Sequence, residues 1–280
     1  MNDILTVSSL CKNYPEFSLK NVSFSIPRGS VTGFIGRNGA GKTTTLKSIL
    51  GLVHPDGGEV SFFGLSPLEN EALIKQRIGF CGGAVNYYRK KKLSVIADVT
   101  KTFYRSWDEN AWHKYMKLFS LDENKTPDTL SEGMRVKFNL ALSLSHHAEI
   151  LILDEPTSGL DPVSREELLE IFLSLKAEGV SILFSTHITS DLDRCADRII
   201  YIKKGEIISS CGMNEFTDSF CTIKLGESSA NAEYILGKCK TKDGETGLIK
   251  AENRGFFPAE SVFLPTLEDI MVHLEKEDRA

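Results

Sequence analysis

The residues with the clearest chemistry lie near the start of the chain, where 36–43 (GRNGAGKT) have the spacing G-x-x-x-x-G-K-[ST] of a phosphate-binding loop. The apolar stretch 31–35 before them is typical of a buried strand, and 44–50 continue as a helix. A loop between a strand and a helix N-terminus directs backbone N–H groups toward one point, which suits phosphate oxygens. The sequence therefore predicts a site for ATP or GTP.

Side chains within this loop have separate expected roles. Lys42 is expected to reach the β- and γ-phosphates, and Thr43 to place its hydroxyl on Mg²⁺. The glycines permit backbone angles and a close approach that a side chain would block. The loop residues predicted to contact the nucleotide are Gly36, Asn38, Gly39, Ala40, Gly41, Lys42, Thr43 and Thr44.

A second acidic element follows an apolar run at 150–153, which is typical of a parallel strand, and consists of Asp154 and Glu155. Asp154 is expected to hold Mg²⁺ through water, because this ion keeps part of its hydration shell in proteins. Glu155 is placed to polarise the attacking water as a general base. The pair predicts hydrolysis of the bound nucleotide.

Between these motifs, 130–134 (LSEGM) precede a helix through about residue 145, and 158–161 (SGLD) follow the acidic pair. In this order the motifs resemble those of the ATP-binding-cassette family, whose signature is usually LSGGQ and whose D-loop resembles 158–161. The resemblance covers roughly residues 3–215. Glu132 and Met134 depart from the usual signature, while Ser131 and Gly133 match it.

The resemblance extends to two single residues. His187, after the apolar strand 180–184, occupies the place of the family's switch histidine near the γ-phosphate. Tyr14 resembles the aromatic residue of the A-loop, whose ring stacks on adenine. Considered alone, His187 would be an ordinary surface or core residue, and Tyr14 would be either a core aromatic or a base platform.

The resemblance also implies an assembly. Two cassettes pack head to tail, as a homodimer or as a heterodimer with a second cassette. The nucleotide site that contains Lys42 of one chain is then completed by three residues of the other chain, Ser131, Gly133 and Asp161. ATP stabilises the closed dimer and hydrolysis releases it. The resemblance implies that this cycle drives a separate integral-membrane permease.

Two segments resemble one branch of the family in particular, 103–108 (FYRSWD) and 185–192 (STHITSDL). These look most like the ATPases of antibiotic-resistance and lantibiotic-type exporters, in the YtrB-like branch. An exporter subunit on the inner face of the cell membrane is therefore implied.

A basic run, Arg89-Lys90-Lys91-Lys92, follows the region where the family docks its transmembrane partner. Contact with an acidic permease helix or anionic headgroups is one interpretation, and a solvated loop is the other. Just before the run, Gly83 stands where family members usually have a glutamine that touches Mg²⁺ and the attacking water. The resemblance implies that this role is lost or passes to a neighbour such as Asn86.

Composition limits the remaining choices. The chain has 280 residues and a formal net charge of −5, which disfavours a nucleic-acid binder driven by bulk positive charge. Its six cysteines have no C-x-x-C or zinc spacing, which favours reduced cytosolic thiols. The sequence shows no signal peptide and no run approaching the roughly 18 apolar residues of a membrane span. We expect a cytoplasmic protein, peripheral at the membrane.

Alternating strand and helix patterns predict an α/β fold with a mostly parallel sheet. With the resemblance, this becomes a P-loop NTPase cassette with an antiparallel β subdomain and a helical signature subdomain at about 84–147. The cassette is expected to occupy 1–217, followed by a small α+β appendage over 218–280.

Two other functions are open at this stage. One is a soluble cassette acting on ribosomes or DNA. Such proteins usually carry two cassettes or a long insertion between the motifs, and this chain has one cassette without that insertion. The other is a degenerate regulatory cassette, suggested by Gly83, although Glu155 and His187 argue against it.

Overall fold

The computed structural model describes residues 3–82, 88–225, 231–242 and 244–276. It divides into two compact units, Met1–Ser210 and Cys211–Ala280. The first unit has strands β1 Asp3–Tyr14, β2 Phe17–Pro27, β3 Val31–Ile35, β4 Gly57–Phe62, β5 Ile78–Gly82, β6 Ile150–Asp154, β7 Ser181–Thr186 and β8 Arg198–Lys203, and β9 Glu206–Gly212 runs across its boundary. Its helices are α1 Lys42–Ile49, α2 Pro67–Lys75, α3 Leu93–Lys101, α4 Glu109–Leu118, α5 Glu132–Ser145, α6 Pro162–Ala177 and α7 Thr189–Cys195.

The central sheet has the strand order β5-β6-β7-β3-β8-β9, and β3 pairs in parallel with both β7 and β8. Its middle strands are buried along their length, as expected for a parallel sheet covered on both faces. The register places Ile35 beside Thr186 and Asp154 beside Ser185. The loops that follow β3, β6 and β7 therefore meet at one edge of the sheet, where open α/β sheets bind ligands.

A second sheet, of order β2-β1-β4, is antiparallel. Its inward-facing residues share one apolar core with α1 and the parallel sheet, because Leu10, Leu46 and Ile152 belong to the same buried cluster. This packing holds α1 between the two sheets, so that the loop at its N-terminus has a rigid support.

The segment between β5 and β6 contains α3, α4 and α5. Residues 106–108 lie between α3 and α4, and Asp108 caps α4 by accepting hydrogen bonds from two backbone N–H groups. Trp112 is 2% exposed and packs edge-on against Phe138 of α5, with 6.1 Å between ring centroids. Aromatic packing therefore joins α4 to the helix that follows the signature sequence.

The second unit is a small α+β structure, as the sequence predicts. Its elements are α8 Met213–Asp218, β10 Phe220–Leu225, β11 Gly237–Thr241, β12 Gly244–Lys250, β13 Val262–Phe263 and α9 Leu267–Lys276. The strands form an antiparallel sheet of order β11-β12-β10-β13, with Ile223 and Ile249 in its core. The predicted domain boundary after residue 217 stays a prediction; the two compact units meet after Ser210.

All six cysteines are free, and Cys81, Cys195, Cys221 and Cys239 are buried. Burial raises the pKa of the Cys81 thiol to about 11 and that of Cys195 to about 12, so these side chains are neutral packing groups. Within the described ranges, none of the helices combines the length and apolar character needed to cross a bilayer.

Candidate active site

The phosphate-binding loop lies between β3 and α1, and its glycines are required by sterics. Gly41, the N-cap of α1, has φ +116°, and a Cβ there would lie 2.8 Å from ring and methyl carbons of Phe17 and Leu19. A Cβ on Gly36 would lie 2.4 Å from the carbonyl oxygen of Ile202. The loop is therefore fixed against β2 and β8 in a path that only glycine permits.

Lys42 is 5% exposed and its ammonium group lies at the centre of this loop. Nζ donates hydrogen bonds to the carbonyl oxygens of Gly36 at 2.6 Å and Arg37 at 3.3 Å. It also lies 3.2 Å from Oε1 of Glu155. A buried ammonium group needs such partners, and the carboxylate of Glu155 is the one that balances its charge.

Oxygen ligands converge next to the lysine. Thr43 Oγ1 donates a hydrogen bond to Asp154 Oδ1 at 3.2 Å, and Ser185 Oγ donates to the same oxygen at 2.6 Å. No cluster of three or more His, Cys, Asp or Glu side chains that would hold a metal occurs among the described residues. Mg²⁺ does not need one, because it binds through one or two protein oxygens together with phosphates and water. The pair Thr43 and Asp154 fits that ion.

Glu155 lies at the carboxyl end of β6 in a left-handed backbone conformation, with φ +51°. Its N–H donates to Ser185 Oγ at 2.9 Å, which helps hold this uncommon conformation. Its Oε2 lies 2.8 Å from Nδ1 of His187, so a proton on Nδ1 is donated to the carboxylate. The side chain of Glu155 is therefore held between Lys42 and His187.

Lys42, Thr43, Glu155 and His187 line a single pocket of about 440 Å³ at the carboxyl edge of the parallel sheet, whereas Asp154 and Ser185 lie outside its lining. Eight residues of the predicted site line it, and the sequence reasoning missed three others: Phe17, Arg37 and Ser158. The full lining is Phe17, Arg37, Asn38, Gly39, Gly41, Lys42, Thr43, Thr44, Glu155, Ser158 and His187.

The aromatic residue of this pocket is Phe17. Tyr14 lies at the end of β1 as the cross-strand partner of Phe17, is 43% exposed and has the Lys12 ammonium 5.7 Å from its ring centroid. Tyr14 does not line the pocket, and its role as a base platform stays a prediction. The sequence held one sign that Phe17 faces inward. Phe17 and Leu19 are two residues apart, which puts both side chains on one face of β2.

Ser185 was missed as well, although it joins the two acidic residues by accepting from Glu155 N–H and donating to Asp154. A weak signal was present, because a hydroxyl residue directly follows the apolar run 180–184 at the end of a buried strand. Only the pairing of β6 with β7 shows that this hydroxyl faces the acidic pair.

The signature residues lie away from this pocket. Ser131 is the exposed N-cap of α5, and its Oγ accepts a hydrogen bond from Met134 N at 3.3 Å. Gly133 is buried, and a Cβ on it would lie 3.5 Å from the Cβ of Ser164. Asp161 is the N-cap of α6, and hydrogen bonds from Ser164 hold the pKa of its carboxyl below the usual value. Gly83 and Asn86 lie outside the described residues.

Comparison with known proteins agrees with this geometry. A family model described as ABC transporter matches residues 19–158. The bacitracin transport ATP-binding protein BcrA of Bacillus licheniformis is 31% identical over 212 residues, covering 74% of this chain and 69% of that protein. The ABC transporter ATP-binding protein YtrB of Bacillus subtilis is 29% identical over 208 residues, covering 74% of this chain and 71% of that protein.

The fold is also found among solved structures. A dimeric ATP-binding cassette in a post-hydrolysis state, bound to ADP and Pi, superposes with a TM-score of 0.66 at 24% identity, covering 75% of this chain and 98% of that one. The predicted fold class and the predicted exporter-type branch are confirmed. The relatives give no support to a ribosome- or DNA-acting cassette.

Proposed function

This chain belongs to the ABC transporter family, whose ATP-binding cassettes hydrolyse ATP to drive a membrane transporter, and we propose that it is the ATPase subunit of an exporter with a separate permease. The observation that carries the proposal is that Lys42, Thr43, Glu155 and His187 line one pocket, with Asp154 hydrogen-bonded to Thr43 beside it. We assign phosphate binding, metal binding and base catalysis to these side chains.

Phosphate binding falls to the loop and Lys42. The N-terminus of α1 directs its first N–H groups and the positive end of the helix dipole into the pocket. Lys42 is already placed there, held by two carbonyl oxygens and by Glu155. Phosphate oxygens replace the carboxylate as the partner of the ammonium group, and this exchange frees Glu155.

Thr43 and Asp154 would hold Mg²⁺. A bound ion would supply positive charge that offsets the charge on the phosphates. Ser185 keeps its hydrogen bond to Asp154 and so fixes the orientation of that carboxylate.

Glu155 is the general base, because a freed carboxylate at the pocket wall accepts the proton of the attacking water. His187 orients Glu155 through the 2.8 Å contact, and the Ser185 hydroxyl fixes the backbone from the other side. Positioning and electrostatic stabilisation supply most of the catalysis in phosphoryl transfer, so these two contacts contribute to the rate by orienting the base.

The signature loop supports a shared site between two cassettes. Ser131 is exposed at the N-terminus of the 14-residue helix α5 and does not line the pocket of its own chain. We assign Ser131 and Gly133 to the nucleotide held by a second cassette, either a copy of this chain or a different one. Asp161, exposed at the start of α6, belongs to the same face.

A wide cleft of about 1,170 Å³, lined by the segment from the end of α1 through β4 and by α2, β5 and α5, is the surface that we assign to the permease. Its lining includes exposed apolar side chains, with Leu68 93% and Phe80 37% exposed. Lys90, Lys91 and Lys92 are exposed just before α3, outside the lining of the cleft, and supply positive charge elsewhere on the same unit. The occupant that suits both features is a cytoplasmic permease helix with an apolar face and acidic flanks. Binding there would hold the chain on the inner face of the membrane.

The direct test has two parts. Purified protein incubated with Mg²⁺-ATP is expected to release phosphate, with low activity for the isolated chain, and chelation of Mg²⁺ is expected to abolish release. Expressed with its genomic neighbours, the chain is expected to co-purify with a polytopic membrane protein, and a Leu68→Glu variant is expected to lose that partner while keeping its ATPase. Absence of phosphate release would refute the catalytic assignment, and retention of the partner by Leu68→Glu would refute the docking surface.

A further inference from the structure

A buried carboxylate that the mechanism does not use lies close to the edge of the parallel sheet that carries Glu155 and His187. Asp191, in the first turn of α7, is 1% exposed. Its Oδ2 accepts a hydrogen bond from the hydroxyl of Thr157 at 2.6 Å, and Thr157 itself is fully buried. Burial raises the pKa of Asp191, while the Thr157 hydroxyl and the Arg165 charge act in the opposite direction. A buried carboxylate is costly to retain, which makes its contacts informative.

The contacts of Asp191 join two catalytic loops. Thr157 belongs to the loop 155–161 between β6 and α6, which carries Glu155. On the other side, Thr186 Oγ1 lies 3.5 Å from Oδ2 of Asp191 and accepts the N–H of Ile188 at 3.0 Å, so it borders the loop that carries His187. One carboxylate therefore reaches both loops.

Thr157 transmits this contact to Glu155 through the backbone. The N–H of Ser158 donates to the carbonyl of Glu155 at 3.2 Å, and the N–H of Leu160 donates to the carbonyl of Thr157 at 3.3 Å. These two tight turns leave little freedom between Thr157 and Glu155. A left-handed residue such as Glu155 persists only where its surroundings over-determine it.

The second oxygen of the carboxylate is held more loosely. Oδ1 of Asp191 and Nε of Arg165 are both buried without a hydrogen-bond partner among the described residues, and they lie 3.9 Å apart. That distance allows charge attraction but exceeds the roughly 2.9 Å of a hydrogen bond. Arg165 lies on α6, so this contact ties the helix after the loop to the same carboxylate.

We propose that Asp191 is a positioning residue that ties the 155–161 loop to the His187 loop, so that Glu155 and His187 keep their contact during turnover. The inference rests on the proposed ATPase function. It assigns to Asp191 no contact with nucleotide or metal, and its effect passes through Thr157. Removing the tie is therefore expected to lower kcat while leaving ATP affinity unchanged.

The sharpest test removes one hydroxyl without changing volume. Thr157→Val deletes the hydrogen bond to Asp191, Thr157→Ser restores it, and Thr32→Val is the matched control. Thr32 is also fully buried, in β3, and its Oγ1 has no hydrogen-bond partner within the described part of the chain. We expect kcat to fall about tenfold in Thr157→Val, with the ATP dissociation constant within about twofold of the parent. Thr157→Ser is expected to recover most of the rate, and Thr32→Val to match the parent.

A double-mutant cycle with Asp191→Ala, which removes the oxygen that accepts the Thr157 hydroxyl, keeps the test decisive where one variant folds poorly. If the two residues act through one contact, the double variant loses no more rate than the worse single variant. Parental kcat in Thr157→Val, or fully additive losses in the cycle, would overturn the proposal. The same assay tests the proposed ATPase function separately through the rate of the parent protein. The Thr157–Asp191 contact is judged only on the ratio of each variant's kcat to that of the parent.

Discussion

Two glycine-containing loops in this molecule each lead into a helix N-terminus, and they are built in opposite ways. The loop before α1 has Gly41 at the cap position, which leaves the first N–H groups of the helix for a ligand. The loop before α5 has Ser131 at the cap position, whose hydroxyl satisfies one of those groups itself. The first loop encloses a buried ammonium group, whereas Ser131 is exposed.

The difference lies in what surrounds each loop. The loop 36–41 is enclosed by β2, β8 and the acidic edge of β6, so one chain supplies its cation, its walls and its metal ligands. The loop 130–133 buries Leu130 and packs Gly133 against the start of α6, but it presents Ser131 to solvent. We therefore interpret the first loop as the phosphate site of this chain and, in line with the proposed function, the second as the part of a site that a second cassette would use.

The largest expected effect concerns the loop before α1 and separates ATP hydrolysis from ATP binding. In Glu155→Gln the amide cannot accept the proton of water, and we expect turnover to fall by about 10²- to 10⁴-fold. ATP binding should be kept or tightened, because the carboxylate that competes for Lys42 has lost its charge. Steady-state phosphate release and an ATP titration measure the two effects. Glu170→Gln, on the exposed face of α6, is the control. Unchanged turnover would remove Glu155 from the mechanism.

The next effect tests whether the ammonium group of Lys42 contributes to ATP affinity. Lys42→Ala removes the charge that faces the phosphates, and we expect ATP affinity to fall about 100-fold. Lys47→Ala removes an exposed lysine from the same helix and should bind as the parent does. Isothermal titration of both variants measures the difference. Equal affinity of Lys42→Ala and the parent would contradict the assignment of the loop.

A mixing experiment tests whether the second loop completes a site on another chain. Ser131→Arg and Lys42→Ala are each expected to be inactive alone, but a mixed dimer contains one site with both halves intact. If closure tolerates one damaged site, an equimolar mixture should recover up to roughly a quarter of parental phosphate release, because half of the dimers are mixed. Heterodimer formation is verified with differently tagged chains. Verified heterodimers without recovery would contradict shared sites.

The smallest effect measures the cap itself. Ser131→Ala removes the hydrogen bond to Met134 N, and we expect a loss of ~1 kcal/mol in the free energy of unfolding. Thermal unfolding should shift by about 2–4 °C for a chain of this size. ATP affinity of the monomer should not change, and Ser131→Asn, which keeps a capping oxygen, should unfold at nearly the parental temperature. A large drop in monomer affinity would show that Ser131 serves the site of its own chain.

Local patterns carried most of the prediction. Spacing alone identified the loop around Lys42, and the change from an apolar run to Asp154 and Glu155 identified the end of β6. A helix cap such as Asp161 is open to the same reasoning, because capping depends on neighbours within one turn. The family resemblance then added His187, and the structure places its ring beside Glu155.

Residues that act through strand pairing were not predictable from local pattern. Ser185 reaches Asp154 only because β6 and β7 are adjacent in register. Phe17 reaches Gly41 because β2 lies against the phosphate-binding loop, and Asp191 reaches Thr157 across two loops. In each case the chemistry depends on a contact between residues distant in sequence, and periodicity carries no information about such pairing.

The position of β3 has a consequence for how this protein is made. Both strands that flank β3 come from residues 181–203, and the carbonyl that closes over Gly36 belongs to Ile202. At synthesis rates of about 5–20 residues per second, the ribosome needs roughly 10 to 30 s after completing β3 to deliver both neighbours. During that interval an apolar strand waits without its sheet, and the nascent chain holds the nucleotide motif without a nucleotide site. The dependence of this protein on chaperones during translation should therefore be greatest while residues 36–203 are being added.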